Sequence, residues 1–308
     1  MKELNYEKVF QVLVEETSNY IRSNRLRAMV LGVSGGIDST VVAAICHEVS
    51  KQTGIPLIGR SLPIRNKEDE FNISELVGKA FCTDFKVVNL EIPYTFVLNW
   101  VAFEEYGYDP VKSMREDEDI YQNIEKHIPE QTPIANGNIQ ARLRMTYLYN
   151  LASINKGLVM STDNQTEYQL GFWTIHGDVG DFDPIQGLWK TEVYELAEWL
   201  VDFYFTDGDD ASKAVAIRES MKLTPTDGLG ISNSDLEQIG AKSYNDVDRL
   251  LKTLTCKASP ENDKLQDELT EELGRDVVGK ILERHIKSKF KRLLSPIIVP
   301  REKYAGLS

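Results

Sequence analysis

Cysteine is scarce in this chain. Its three cysteines, Cys46, Cys82 and Cys256, are odd in number, far apart and without C-x-x-C spacing. That leaves neither a disulfide framework nor a zinc ribbon to build, and it points to a reducing compartment. Long apolar runs are missing as well. None approaches the length of a membrane span, and Met1-Lys2-Glu3 opens a polar amphipathic segment with no signal-peptide apolar region, so a soluble, cytoplasmic protein with no membrane partner is expected. No block of lysine and arginine dominates: 35 basic against 48 acidic side chains leave a net charge of −13. A nucleic acid, held largely through its phosphates, is therefore an unfavoured partner. The acidic stretches 115–119 and 207–210 need no reading beyond solvated faces. With no fixed-period repeat and no low-complexity segment in 308 residues, one main domain spanning 1–308 is expected.

What is present is concentrated first in Ala28 to Thr40, AMVLGVSGGIDST. The short apolar run Met29-Val30-Leu31, bounded by turn residues, predicts a buried strand ending at Gly32. Gly35 and Gly36 then allow a sharp turn that exposes backbone N–H groups at the start of a helix, where the dipole favours anions. The Walker loop is excluded because Ile37-Asp38-Ser39 stands where its Lys-Ser or Lys-Thr pair would be, and the spacing of Gly32, Gly35 and Gly36 excludes the dinucleotide fingerprint. Ser34-Gly35-Gly36-Ile37-Asp38-Ser39-Thr40 instead resembles the SGGxDS pyrophosphate loop of the N-type ATP pyrophosphatases (PP-loop enzymes), which split ATP between its α and β phosphates. The resemblance implies ATP contacts from Gly32, Val33, Ser34, Gly35, Gly36, Ile37, Asp38 and Ser39, with Asp38 holding Mg²⁺, a hard cation suited to carboxylate and phosphate oxygens. The simpler alternative makes Asp38 a first-turn carboxylate and Ser34 a helix cap. The strand before, the helix after and the complete set of seven residues favour the phosphate reading.

Hydrophobic spacing predicts helices over Tyr6–Ser23, Asp38–Ser50, Glu68–Phe81 and Gln140–Asn155, and strands over Pro56–Leu62, Phe85–Leu90 and Leu158–Met160. Alternation of this kind implies right-handed crossovers and a doubly wound, Rossmann-like α/β fold with a parallel sheet, binding its ligand beyond the carboxyl ends of the strands. Segment 99–131 offers no clear element. After Trp189 the pattern is helical over Thr191–Phe205, Asp210–Met221, Asp235–Ile239, Asn245–Leu254, Lys264–Leu273 and Val277–Phe290. An α/β core over about 25–190, a helical addition before it and a helical part over about 191–292 follow.

Three later segments extend the resemblance. Asn136 to Met145 is similar to the GN-x-x-AR-x-RM helix of NAD synthetases, Ser161 to Glu167 to their GTD-x-x-x-E segment, and Pro184 to Thr191 to their P-x-x-x-L-x-K motif. Order and intervals agree from Met29 to about Arg292. The resemblance implies that Thr162 contacts the nucleotide, that Glu167 joins Asp38 on Mg²⁺, and that Lys190 assists catalysis at the ATP phosphates. Taken alone, Thr162-Asp163-Asn164 reads as a helix cap followed by a first-turn glutamate. Arg142 and Arg144, two apart on a helix, diverge by about 200° and cannot both line one site. The resemblance gives Arg142 to the dinucleotide and leaves Arg144 as a surface or subunit contact.

The loop Gly177 to Pro184 is one residue shorter than the family's. The substrate aspartate is carried to Asp181, with Asp178 a turn residue and Asp183 the fallback. Thr226 in Thr224-Pro225-Thr226-Asp227 aligns with an ATP contact, while Asp227-Gly228-Leu229-Gly230 departs from the pattern. At the C-terminus Ser288-Lys289-Phe290-Lys291-Arg292 resembles S/T-E-H-K-R. Lys291 is kept for substrate phosphate, Phe290 replaces a histidine, and Ile175 stands at a family lysine.

What the resemblance implies is an ammonia-dependent NAD synthetase, a carbon–nitrogen ligase with ATP as co-substrate and Mg²⁺ as cofactor. It would adenylate deamido-NAD, release pyrophosphate, then amidate the adenylate to NAD and AMP, working as a homodimer. With the loop near residue 34 and no cysteine-based glutaminase apparent, no amidase domain is expected. Cys46 reads as a small core residue. The rivals are another PP-loop ligase and a nucleotide-binding regulatory protein without turnover.

Overall fold

The computed structural model describes residues 4–65, 68–107, 132–225, 234–255, 260–294, 297–298 and 301–303. After helix α1 (Tyr6–Ser23), β1 (Met29–Gly32), α2 (Ile37–Thr53), β2 (Leu57–Ser61), α3 (Glu68–Phe81), β3 (Asp84–Val87), α4 (Glu91–Tyr106), α5 (Thr132–Ile154) and β4 (Leu158–Val159) follow in turn. These strands form one parallel sheet in the order β3-β2-β1-β4. The chain winds outward from β1 to β2 and β3, then returns to place β4 on the other side of β1. The crevice between the carboxyl ends of β1 and β4 is therefore the switch point at which doubly wound sheets bind ligands.

β1, β2 and β4 are buried on both faces because successive residues feed different cores. Met29, Leu31, Leu57 and Leu158 face a cluster built with α1, α2 and α3. Val30, Ile58 and Val159 face the other way, toward Tyr94 and Leu98 of α4 and Met145 and Leu148 of α5. Cys46 is buried in the first cluster, and burial pushes its thiol upward, which suits a core residue. Among the described residues no helix is long and apolar enough to cross a membrane.

The remaining elements are α6 (Gln165–Leu170), β5 (Phe182–Asp183), α7 (Lys190–Trp199) running on into a π-helical turn (Leu200–Tyr204), α8 (Ala211–Lys222), α9 (Asp235–Ile239), α10 (Tyr244–Thr255), α11 (Pro260–Leu273), α12 (Arg275–Lys287) and a short β6 (Ile297–Ile298). The C-terminal helices bury Val247, Leu250, Leu269 and Ile281 against Leu170 and Trp189. Several expectations shift. α4 occupies part of segment 99–131, whose remainder from 108 lies outside the described residues. α5 begins at Thr132 instead of Gln140, so Asn136 and Gly137 are helical. β3 stops at Val87, where its register with Ser61 of β2 ends, and Leu90 caps α4. A parallel bridge from Met160 to Phe182 joins β4 to β5, a pairing that the spacing of apolar residues does not announce.

Candidate active site

The glycine loop after β1 forms as its sequence requires. β1 ends at Gly32, and Gly35 has φ 87°, a left-handed conformation that side chains disfavour. Gly36 then caps α2 with no side-chain bond of its own, so the first N–H groups of α2 have no capping side chain. The loop is braced from several directions. Ser34 Oγ lies 3.0 Å from Ser39 Oγ and accepts from the Gly36 N–H at 3.2 Å. Ser220, at the end of α8, donates to the Gly35 carbonyl at 2.6 Å and lies 2.8 Å from Thr40 Oγ1.

Asp38, in the first turn of α2, meets residues from two later helices. Lys190 opens α7 and is almost fully buried; its Nζ bonds Asp38 Oδ2 and lies 3.0 Å from Glu167 Oε1. Asn164 Nδ2 donates to Asp38 Oδ1 at 2.9 Å, and its Oδ1 accepts from the Glu167 N–H at 3.0 Å. The cap expected from Thr162-Asp163-Asn164 is formed by Asn164 and Glu167 as a capping box, and the same two side chains also bond Asp38 and Lys190, respectively. Asp248 of α10 holds the two helix starts together. It accepts from Thr166 Oγ1 at 2.5 Å and from the Thr191 N–H at 2.9 Å, while Thr166 Oγ1 accepts from the Lys190 N–H at 2.9 Å.

The charges are set by burial and by one another. Burial raises Glu167 to about 8, opposed by Lys190 and reinforced by Asp38. Burial disfavours the charged form of Lys190, yet the Asp38 and Glu167 carboxylates outweigh it and hold the ammonium well above its usual range. Burial raises Asp178 of the cavity lining and Asp183 behind Ile185 and Gln186 to about 7, and Asp163 well above the ordinary carboxyl range. A pH dependence follows for Asp183, which is fully buried and accepts from the Ile185 and Gln186 N–H groups at 3.1 and 3.0 Å. Its folded value lies above its ordinary value of 3.8, so the folded state keeps a proton that the unfolded chain loses. The stability gained is complete below the lower value and lost as pH rises toward the upper one. Between about pH 5 and about pH 7.5 the melting temperature of Asp183→Asn should fall less than that of the wild type, by thermal denaturation; equal slopes would contradict the assignment.

Around this centre lies a cavity of about 300 Å³, lined by Gly32, Val33, Ser34, Gly36, Ile37, Asp38, Ser39, Thr162, Glu167 and Lys190. These expected residues converge. Others do not. Ala141, Arg144, Met145 and Leu148, spaced i, i+3, i+4 and i+7, all line the cavity, and Arg144 donates from Nε to the Leu62 carbonyl at 3.0 Å. Arg144, expected as a surface or subunit contact, lines the cavity, because the apolar stripe that seats α5 on the sheet carries it inward. Arg142 is exposed and turns to the Ile175 carbonyl at 3.3 Å.

Asp181 is also outside the lining. Its Oδ2 accepts from the Val159 N–H at 2.9 Å and its own N–H donates to the Val159 carbonyl at 2.7 Å, since the bridge from Met160 to Phe182 draws it to the edge of β4. Asp178, expected only to shape the turn, does accept from the Thr174 N–H at 2.8 Å but lines the cavity as well. Lys291 Nζ bonds the Gly171 carbonyl at 2.7 Å and the Trp173 carbonyl. Thr226 lies outside the described residues, although Thr224 and Pro225 before it reach the cavity. Asn164, Asp248 and Ser220 were missed because each acts by hydrogen bonds across the fold; only the cap pattern of Asn164 left a trace in the sequence.

A glycine-turned phosphate loop at the switch point of a parallel sheet, with two carboxylates and a buried lysine beside it, defines a nucleotide-binding α/β protein of the PP-loop type. Comparison with known proteins narrows this. The family model described as NAD synthase matches residues 9–106 and 107–295, and the chain belongs to that family. The chain is 29% identical over 299 residues to the NH(3)-dependent NAD(+) synthetase of Helicobacter pylori, covering 95% of this chain and 96% of that one. It is 31% identical over 286 residues to the protein of the same name from Thermoplasma acidophilum, covering 91% and 95%. Among solved structures, NMN synthetase from Francisella tularensis superposes with a TM-score of 0.66 at 22% identity, over 94% of this chain and 97% of that one. NH3-dependent NAD synthetase from Campylobacter jejuni gives 0.62 at 20%, over 96% and 100%. These structural likenesses establish the fold.

Proposed function

We propose that the chain is an ammonia-dependent NAD synthetase. The nicotinate carboxylate of deamido-NAD attacks the α-phosphorus of ATP, the bond to the pyrophosphate breaks, and ammonia then displaces AMP from the adenylate to leave the amide of NAD. The observation that carries this reading is the meeting of the SGGIDST loop with Asp38, Glu167 and Lys190 in one cavity. A carboxylate is a poor electrophile with no leaving group, so adenylation is the step that needs help, and the help required is positioning and charge neutralisation.

In this reading the loop from Gly32 to Ser39 binds the ATP phosphates, with Thr162 at the end of the neighbouring strand, and Thr226 is kept as a further ATP contact. Lys190, bonded to both carboxylates, brings its ammonium to the phosphates. The donor set suits Mg²⁺. Asp38 and Glu167 share one ammonium and so lie within reach of one cation, and Mg²⁺ takes one or two carboxylates, completing its shell with phosphate oxygens and water. Among the described residues no group of three or more His, Cys, Asp or Glu is placed to hold a metal. When bound, the ion neutralises phosphate charge as the α–β bond opens. Arg142 and Lys291 are kept for the acceptor, and Asp178 takes the cavity-facing place given to Asp181. Because α9 and α10 close over the same centre through Asp235 and Asp248, the chain is read as one catalytic unit.

Amidation of the mononucleotide is a second reading, favoured by Ile175 and Phe290, two apolar side chains at positions where the resemblance expects hydrogen-bonding contacts to the dinucleotide. The experiment that decides supplies Mg²⁺-ATP, ammonium or glutamine, and either deamido-NAD or nicotinate mononucleotide. The amide product, AMP and pyrophosphate are then measured. Equimolar NAD, AMP and pyrophosphate from ammonium is the expected result; ATP bound without AMP formed would overturn it.

A homodimer is proposed from α4. Its one face buries Tyr94, Leu98 and Ala102 in the core, while its other face leaves Ile92 83%, Phe96 71%, Trp100 59% and Phe103 50% exposed. A contiguous apolar face of this kind marks an interface. Phe96→Glu with Trp100→Glu should halve the mass found by sedimentation; an unchanged mass would place the interface elsewhere.

A further inference from the structure

α6, which carries Glu167, has six residues and consists of little besides its two ends. A helix so short does not hold its own shape in water, because nearly every backbone group in it is one that a helix leaves without an internal partner. The N-terminal end is closed locally by Asn164. At the C-terminal end the Gly171 and Phe172 N–H groups close locally on the Glu167 carbonyl, and the carbonyls beyond it are held from more than a hundred residues away. The Gln169 carbonyl accepts from Arg292 Nη1 at 2.7 Å and from Ser288 Oγ at 3.3 Å, with His285 Nδ1 at 3.1 Å. The Leu170 carbonyl accepts from Arg284 Nε at 3.1 Å, and Lys291 takes the carbonyls that follow, of Gly171 and Trp173.

Contact is close as well as polar. Gly171 has φ 66°, and a Cβ on it would lie 2.4 Å from Ser288 Cβ. The Arg284 guanidinium stands 3.6 Å from the centroid of the Phe172 ring, and Tyr168 Oη donates to the Arg292 carbonyl at 3.1 Å. Arginine and lysine here also face the negative end of the helix. Arg292 is the hub of this arrangement: Nη1 also reaches Ser288 Oγ at 3.0 Å and Nη2 the His285 carbonyl at 2.8 Å, so one planar fork ties α6 to the end of α12.

We infer that Arg292 is a positioning residue for the metal site: by holding the far end of α6 it sets the Glu167 carboxylate against Asp38. This rests on the reading of Asp38 and Glu167 as Mg²⁺ ligands. It gives the C-terminal segment 284–292 a part in ATP chemistry although Arg292 itself does not line the cavity. Outer partners that orient a ligand control metal affinity almost as the ligand does.

The test titrates Mn²⁺ into the full chain with α,β-methylene-ATP present and counts bound ion by electron paramagnetic resonance. Arg292→Met should weaken Mn²⁺ binding by about 10- to 100-fold. It should also raise the Mg²⁺ concentration needed for half-maximal turnover by a similar factor, with kcat at saturating Mg²⁺ much less affected. Arg292→Lys should recover part of the loss, since one ammonium reaches the Gln169 carbonyl but not all three acceptors. Arg249→Met, which removes the exposed pair with Glu272, should leave Mn²⁺ binding unchanged. A lowered melting temperature with wild-type Mn²⁺ affinity in Arg292→Met would overturn the inference. If that variant does not fold, wild-type affinity in Arg292→Lys would do so. Glu167→Gln separates the two levels. If it leaves Mn²⁺ binding intact, the metal reading fails; if it weakens binding while the Arg292 variants do not, only the inference fails.

Discussion

Asp38→Asn should reduce NAD formation by about a thousandfold or more, because the proposed mechanism passes several kcal/mol of transition-state stabilisation through this carboxylate and each tenfold in rate is about 1.4 kcal/mol. The substitution preserves volume and the backbone turn but removes the charge that Lys190 and Asn164 both address. The phosphate loop itself stays intact, since its bracing runs through Ser34, Ser39, Thr40 and Ser220. ATP should therefore still bind, within a few-fold by equilibrium dialysis, while pyrophosphate release is lost. An Asn variant that turns over at more than about a tenth of the wild-type rate would remove Asp38 from the chemistry.

Lys190→Met should be costly twice. The ammonium is buried between Asp38 and Glu167, with the Tyr244 ring 5.6 Å away, and removing it leaves two carboxylates facing each other in a low-dielectric site. Breaking one side of a buried ion pair costs about 3–5 kcal/mol, and urea unfolding near neutral pH should show a loss of that order. In the proposed mechanism turnover should also fall by at least about a hundredfold, because the cation assigned to the phosphates is gone. A variant of wild-type stability would show that Lys190 does not compensate these carboxylates in the fold.

Much of the fold is legible in the chain. The bounds of α1, α3 and α9 match the periodicity, and the loop from Gly32 to Ser39 forms where strand, glycines and helix start follow one another. Arg142 and Arg144 show where such reading stops. Helix geometry says that they diverge, but which one faces the ligand depends on how α5 is rotated on the sheet. That rotation is set by Ala141, Met145 and Leu148, and their i, i+4, i+7 spacing was a usable signal that Arg144 shares their side. Asp178 and Asp181 were decided by the bridge from Met160 to Phe182, two residues with no mark of pairing in the sequence. Lys291, read as a substrate contact, is bonded to the carbonyls of Gly171 and Trp173, acceptors that exist only once α6 has ended beside it.

The sequence by itself determined what depends on neighbouring residues: the turn at Gly35, the helix start at Ile37, the capping box of Asn164 and Glu167, and the alternation of strands and helices. These follow from backbone preferences and short-range hydrogen bonds, which adjacent side chains encode directly. Only the tertiary structure decided which chemical groups share a site. Lys190 reaches Asp38 across 152 positions and Arg292 reaches the end of α6 across 123. Such contacts are fixed by how helices rotate and seat in a close-packed interior, where each burial depends on all the others.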